Sequence, residues 1–246
     1  MPLAIPRLIG HRGAKASAPE NSLPAIEEAH RQGATWIEFD AKLTKDGVPI
    51  LMHDETLNRT TSGKGDVAAR TLAEIRELDA GAWFGPAFKG TKVPTLEEAM
   101  ALMARLGMGF NIEIKPCPGR EAETARISCA LVDRLWPKSA PTPVVSSFKR
   151  ASLEAARDSF PHLPRGYLAE ELKGDWLAEA KTLACATIHP GWMKLTKPLV
   201  RAAKDWNFPV LVWTVNESAR ARELIDWGVD AIITDKPGDI GAAIKR

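Results

Sequence analysis

Residues 36–54, WIEFDAKLTKDGVPILMHD, decide the reading of the whole chain. Trp36, Ile37, Phe39 and Leu43 favour a strand, yet Glu38 and Asp40 sit among them. Alternate residues of a strand share a face, so the two acids project together from an otherwise apolar element. Buried charges are costly unless paired, and these two therefore need a cation or a partner. Lys45-Asp46-Gly47-Val48 follows, and Asp-Gly between two apolar runs is a strong hairpin signal. A two-residue turn at Asp46 and Gly47 sets Lys45 opposite Val48, Leu43 opposite Ile50 and, carried further, Asp40 opposite His53. The expected hairpin places two carboxylates and a histidine side by side.

Outward from this hairpin the chain alternates strand and helix. Strands that lead into helices are expected at 7–11, 36–43, 110–115, 143–148, 166–169, 186–189, 209–215 and 231–234, with Val48–His53 as an extra strand made by the hairpin. Such alternation means parallel strands with crossover helices. Eight units in a chain of 246 residues match a (β/α)8 TIM barrel. A doubly wound open sheet is the competing architecture, but neither a G-x-G-x-x-G nor a P-loop occurs to support it. The first helix is expected after PENS, with Asn21 or Ser22 as its cap, Pro24 in its first turn and Gly33 at its end. Thr71-Leu72-Ala73-Glu74 and Thr95-Leu96-Glu97-Glu98 are capping boxes that open two further helices. Residues 55–94 break the rhythm and are too long for an ordinary loop. They read as an insertion at the mouth of one domain spanning 1–246, with Trp83, Phe84 and Phe88 as its aromatic part.

Composition excludes several classes. A net charge of +2 argues against nucleic acid or an anionic membrane surface as partner. No apolar run approaches the roughly 20 residues that span a bilayer, so no stable membrane insertion is expected. Cys117, Cys129 and Cys185 form no zinc or redox spacing. They read as reduced thiols, and with an N-terminus that lacks a signal-peptide pattern they make a cytoplasmic location the expectation.

In such barrels the active site lies at the C-terminal strand ends. The polar residues expected there are His11 and Arg12, Glu38 and Asp40, Glu113 and Lys115, Ser146 and Ser147, His189, Trp213 and Asn216, and Asp235 and Lys236. Three carboxylates on neighbouring strands suit a hard divalent cation, Mg2+ or Ca2+. Alternatively Glu38, Asp40 and Glu113 pair with Lys42, Lys115 or Arg12 as structural ions. His11 and His53 both end strands near those acids and suit a general acid–base pair, while His30 and His162 read as structural and His189 as an open question. Arg12 and Lys115 beside a cation suit an anion such as a phosphoryl group. Trp213 reads as a floor for a substrate carbon chain, or as core.

These motifs together resemble the glycerophosphodiester phosphodiesterase family. The resemblance spans nearly the whole chain and rests on GHRG (10–13), PENS (19–22), EFDAKLTKDG with PILMHD (38–54), EIK (113–115), SSF (146–148), WTVN (213–216) and TDKP (234–237). The short bacterial cytosolic members are the most similar kind, and PENS stands where PENT is commoner. The resemblance implies that Glu38, Asp40 and Glu113 hold Mg2+ or Ca2+. It further implies that His11 and His53 act as acid and base, and that Arg12 and Lys115 touch phosphate. The implied reaction hydrolyses small glycerophosphodiesters, such as glycerophosphocholine or glycerophosphoethanolamine, to sn-glycerol 3-phosphate and an alcohol. The insertion would cap the mouth. Competing readings are a lysophospholipase D-type phosphodiesterase using Trp83, Phe84 and Phe88 as an apolar channel, and a non-catalytic phosphodiester-binding barrel.

Overall fold

The computed structural model describes residues 3–245; Met1, Pro2 and Arg246, at the ends of the expected domain, lie outside them. Among the described residues nine strands form one sheet: β1 (Leu8–His11), β2 (Trp36–Leu43), β3 (Pro49–Leu51), β4 (Gly109–Ile114), β5 (Val144–Ser147), β6 (Arg165–Ala169), β7 (Thr187–Pro190), β8 (Leu211–Val212) and β9 (Ala231–Thr234). Eight of them are parallel neighbours in the order β7-β6-β5-β4-β2-β1-β9-β8. Parallel bridges from Ile188 to Val210 and from Gly191 to Trp213 join the two ends of that order. The expected eight-stranded barrel is the result, and β3 hangs from β2 as the antiparallel extra strand.

Alternation along β2 explains why the barrel can carry acids in its centre. Ile37, Phe39 and Ala41 pack outward with the helices, whereas Trp36 packs inward with Val144, Leu211 and Ile233 from across the barrel. Glu38, Asp40 and Lys42 share the inward parity of Trp36. Strand β4 repeats the rule, with Phe110, Ile112 and Ile114 outward and Gly109, Asn111 and Glu113 inward. Gly109 must lack a side chain, because a Cβ there would lie 2.3 Å from the Trp36 indole nitrogen.

The helices α1 (Leu23–Arg31), α2 (Leu72–Arg76), α3 (Leu96–Arg105), α4 (Glu121–Leu135), α5 (Arg150–Ser159), α6 (Trp176–Thr182), α7 (Lys197–Asp205), α8 (Ser218–Asp226) and α9 (Pro237–Ile244) fall where the apolar periodicity predicts them. Ser22 caps α1 by accepting from the Ala25 amide. Asn21, the other candidate cap, is released for a different task. Both capping boxes form, at Thr71 with Glu74 and at Thr95 with Glu98. Among the described residues no helix is long and apolar enough to cross a membrane.

The hairpin differs from expectation by one residue. Thr44, not Lys45, faces Val48, and its amide donates to the Val48 carbonyl at 3.0 Å. The turn therefore holds three residues, 45–47, with Gly47 at φ +80°, the left-handed position that such a turn requires. Thr44 draws the chain into this form: its buried hydroxyl accepts from the Val48 amide at 2.9 Å and donates to Asp46 at 2.6 Å. Register follows the turn, so Leu43 pairs with Pro49 and Ala41 with Leu51. Asp40 thus faces Met52, whose amide donates to the Asp40 carbonyl. His53 lies beyond the paired strand.

Residues 55–94 contain α2, two short 3-10 turns and otherwise irregular chain. They build a small core in which Leu57, Val67, Ile75, Ala80 and Val93 pack on Ile50, Met52 and Cys117. The segment returns beside the hairpin, where the Leu51 amide donates to the Pro94 carbonyl at 3.0 Å. Trp83, Phe84 and Phe88 stack edge to face on one another, with ring centroids 5.7 and 5.4 Å apart.

Candidate active site

Parallel pairing of β2 with β4 sets Asp40 directly beside Glu113. Glu38 lies two residues back on the same face. Among the described residues, these three each offer a carboxylate oxygen, all within 4.8 Å of one another, and all three are buried. Burial and mutual repulsion push the Glu38 carboxyl well above its ordinary range, and they push Glu113 up to about 7 although Lys115 opposes the rise. Burial also works against Asp40, but Arg12, His53 and Lys115 more than offset it and hold Asp40 below the usual carboxylate range. Three buried acids with too little compensating charge are short of a cation. The Asp40 Oδ1 oxygen supports that reading, since it is buried without a hydrogen-bond partner. Oxygen-only donors at this spacing suit a hard divalent ion with metal–oxygen distances of about 2.0–2.6 Å.

Two imidazoles face the acids, and each is pinned in the same way. His11 Nδ1 lies 2.6 Å from Asp235 Oδ1, and His53 Nδ1 lies 2.7 Å from Asp54 Oδ1. An ionised carboxylate only accepts, so in each neutral ring Nδ1 carries the proton and Nε2 is left to exchange one. His11 Nε2 lies 3.8 Å from Glu38. Burial lowers the proton affinity of both rings, opposed by their aspartates. Despite the one-residue register difference, His53 lines the same narrow cavity as His11, Arg12, Glu38, Glu113 and Lys115, a space of about 60 Å3.

Arg12 and Lys115 supply positive charge at the acids. Arg12 Nε lies 3.1 Å from Asp40, and its Nη1 donates to Glu20 at 2.7 Å. Its backbone adopts φ +52°, uncommon for a residue with a side chain, and its amide thereby donates to Glu38 at 3.2 Å. Lys115 Nζ donates to Glu113 at 2.8 Å and lies 3.8 Å from Asp40. Lys42, fully buried, donates to the Lys115 carbonyl at 2.7 Å.

Asn111, Phe148, Leu168, His189, Trp213 and Ile233 complete the central cavity. Trp213 crosses Phe148 edge to face at 5.5 Å, and its indole donates to the His189 carbonyl. His189, the open question of the sequence, is buried deep in the barrel beside Thr187 and does not reach the rim. Larger cavities flank the centre. One of about 410 Å3 opens beside His53, Lys115 and Phe148, and one of about 670 Å3 beside Trp192, Met193 and Trp213. The Trp83, Phe84 and Phe88 stack lines none of these three.

Several site residues carried no role in the sequence reading. Asn21, seen only as a cap, donates to the Asp40 carboxylate at 2.8 Å and accepts from the Asp40 amide at 3.1 Å. It adopts φ +55° to do so. Glu20 is buried between Arg12 and Arg59. The sequence puts Asp235 and Asn216 at strand ends and suggests no task for them, yet Asp235 fixes His11 and Asn216 fixes Asp235. The available signal was PENS itself, two polar residues too many for one helix cap.

Comparison with known proteins agrees with this geometry. The profile of the glycerophosphoryl diester phosphodiesterase family matches residues 11–239. A glycerophosphodiester phosphodiesterase of Caldanaerobacter subterraneus is 36% identical over 97% of this chain and 98% of its own length. One from Bacillus subtilis is 37% identical over 97% of this chain and 86% of its own. A solved Oleispira antarctica phosphodiesterase, in complex with the product sn-glycerol-3-phosphate, superposes with a TM-score of 0.96 at 36% identity over 98% of each chain. With a profile match across nearly the whole barrel, the chain is an enzyme belonging to the glycerophosphoryl diester phosphodiesterase family.

Proposed function

We propose that the protein hydrolyses small glycerophosphodiesters, such as glycerophosphocholine and glycerophosphoethanolamine, to sn-glycerol 3-phosphate and the free alcohol. One observation carries this reading: three buried carboxylates and two imidazoles, each pinned at Nδ1 by an aspartate, converge on one cavity. The product found in the Oleispira relative supports the same chemistry.

Glu38, Asp40 and Glu113 would hold one Mg2+ or Ca2+ ion, which supplies Lewis-acid stabilisation of a phosphoryl oxygen when bound. Arg12 and Lys115 direct positive charge at the remaining phosphoryl oxygens, where negative charge grows as the bond to the alcohol breaks. Of His11 and His53, one takes the proton of the attacking nucleophile at its free Nε2. The other, entering the step as an imidazolium with both nitrogens protonated, gives its Nε2 proton to the departing alkoxide. Phe148 and Trp213 border the space left for the carbon chain and keep water from it. Residues 1–246 act as one domain, with 55–94 inserted over the mouth. The free, buried state of Cys117, Cys129 and Cys185 supports a cytoplasmic setting.

The test is direct. Purified protein with Mg2+ or Ca2+ should release sn-glycerol 3-phosphate from glycerophosphocholine, measured enzymatically. No release from any glycerophosphodiester would overturn the reading. Turnover confined to lysophosphatidylcholine would move the assignment to a lysophospholipase D-type activity.

A further inference from the structure

We propose that Arg59 is a positioning residue for catalysis. It braces Asp54 against the His53 imidazole and takes its own footing from buried Glu20. The proposal rests on the phosphodiesterase reading for its consequence on rate.

Arg59 is a residue of the 55–94 segment, outside the barrel repeat, and no role in the chemistry was read for it from sequence. Its guanidinium makes two forked contacts. Towards Asp54, Nε donates to Oδ2 at 2.7 Å and Nη2 to Oδ1 at 2.9 Å. Towards Glu20, Nη1 donates to Oε2 at 2.9 Å and Nη2 to Oε1 at 2.8 Å. A planar guanidinium with five donors can serve two carboxylates at once, and an ammonium cannot. The two contacts differ in rigidity. Glu20 is buried and also holds Arg12, so it belongs to the fixed frame of the barrel. Asp54 sits in a turn just past β3, where no strand pairing holds it. Without Arg59, Asp54 would be fixed only by the histidine that it has to orient.

The consequence falls on His53. Asp54 Oδ1 accepts both from Arg59 Nη2 and from His53 Nδ1. Holding that oxygen in place keeps the Nδ1–H form of the ring and aims Nε2 at the cavity. The brace therefore ties the turn that carries His53 to the same glutamate that steadies Arg12. Loss of a supporting partner of this kind typically costs about 10–100-fold in activity.

Two readouts test the proposal on the full-length protein. In Arg59→Ala, kcat on glycerophosphocholine should fall about 10–100-fold with KM little changed, and millimolar guanidinium should restore part of it, since the Arg59 side chain is half exposed. The same addition should do nothing for Asp54→Asn. Arg59→Lys keeps the charge and the fold but cannot span both carboxylates, so its kcat should fall as well. Independently of turnover, long-range 1H–15N spectra should show the His53 ring leaving the Nδ1–H form in both variants. Unchanged kcat in Arg59→Lys, a rise in KM alone, or an unaltered His53 tautomer would each overturn the brace. A wild-type protein without phosphodiesterase activity would overturn the functional reading instead, and the spectra would still decide whether Arg59 fixes the ring.

Discussion

One face of the central cavity comes from β1, β2, β4 and the turn after β3, and it carries His11, Arg12, Glu38, His53, Asn111, Glu113 and Lys115. The opposite face comes from β6, β7, β9 and the segments after β5 and β8, and it carries Phe148, Leu168, His189, Trp213 and Ile233. On the first face Asp235 holds His11, Asp54 holds His53 and Glu20 holds Arg12, and Asn21 does the same for the neighbouring Asp40. On the second face only the Trp213 and His189 contacts are polar. The difference follows from the cost of buried charge. A carboxylate in a low-dielectric site needs partners for each oxygen, whereas an indole or a leucine needs only neighbours. One face is therefore specified group by group, and the other by shape.

Substitutions can break this contrast, beginning with the acids. Asp40→Asn should reduce glycerophosphocholine turnover to background while circular dichroism and Tm stay near wild type, and EDTA should do the same to the unaltered protein until Mg2+ or Ca2+ is added. Wild-type rates in chelator would show that the acidic cluster is structural. Next come the histidines. His11→Ala and His53→Ala should each lower kcat by about 10²–10⁴-fold. The double variant should be scarcely worse, because a lone partner cannot complete the cycle. The wild-type rate should be bell-shaped in pH, with limbs that belong to the pair. A single variant with near wild-type turnover would remove that histidine from the mechanism.

The apolar face should respond more gently. Trp213→Ala should raise KM about tenfold, about 1.4 kcal/mol of binding, with kcat within a few fold, because on the proposed reading the indole would touch carbon in ground and transition state alike. A loss of kcat as large as that of His11→Ala would erase the distinction between the faces. The last effect leaves the rate alone and concerns pH and stability. Burial depresses the His189 proton affinity to about 3, so the unfolded chain binds a proton there that the folded chain does not. Wild-type stability should consequently fall as pH drops from about 6.5 towards 3, by at most about 1.4 kcal/mol per pH unit from this group. His189→Asn should flatten that part of the Tm profile and leave the pH dependence of the rate unchanged in shape.

The same contrast explains what could be read from sequence. Glu38, Asp40 and Glu113 stood out because acids two apart in an apolar strand break a strong local rule. The barrel stood out because eight strand–helix units leave few alternatives. Leu168 and Ile233 gave no signal, since an apolar residue at the cavity looks like any core residue. Asn21 and Arg59 were hidden for another reason: each acts across a long sequence separation, on Asp40 and on Glu20, which only the closed barrel brings near. His53 was placed at the site by a hairpin drawn one residue out of register. It belongs there because the chain after β3 carries it back to the cavity, and strand pairing with Asp40 has no part in that.

The turn at 45–47 has a bearing on how this protein tolerates length changes. Surface turns generally accept insertions and deletions, and Lys45 and Asp46 are exposed. Here the residue count of the turn sets which neighbour each β3 residue meets, and one residue more or fewer exchanges the two faces of a strand. Ile50 and Leu51 serve different cores, one under the 55–94 segment and one under the barrel helices. Deleting Asp46 would trade them and carry His53 along the hairpin by one residue step, about 3.3 Å. Side-chain changes at 45 should be nearly silent, while a single-codon deletion at the same exposed place should be as damaging as a lesion in the active site.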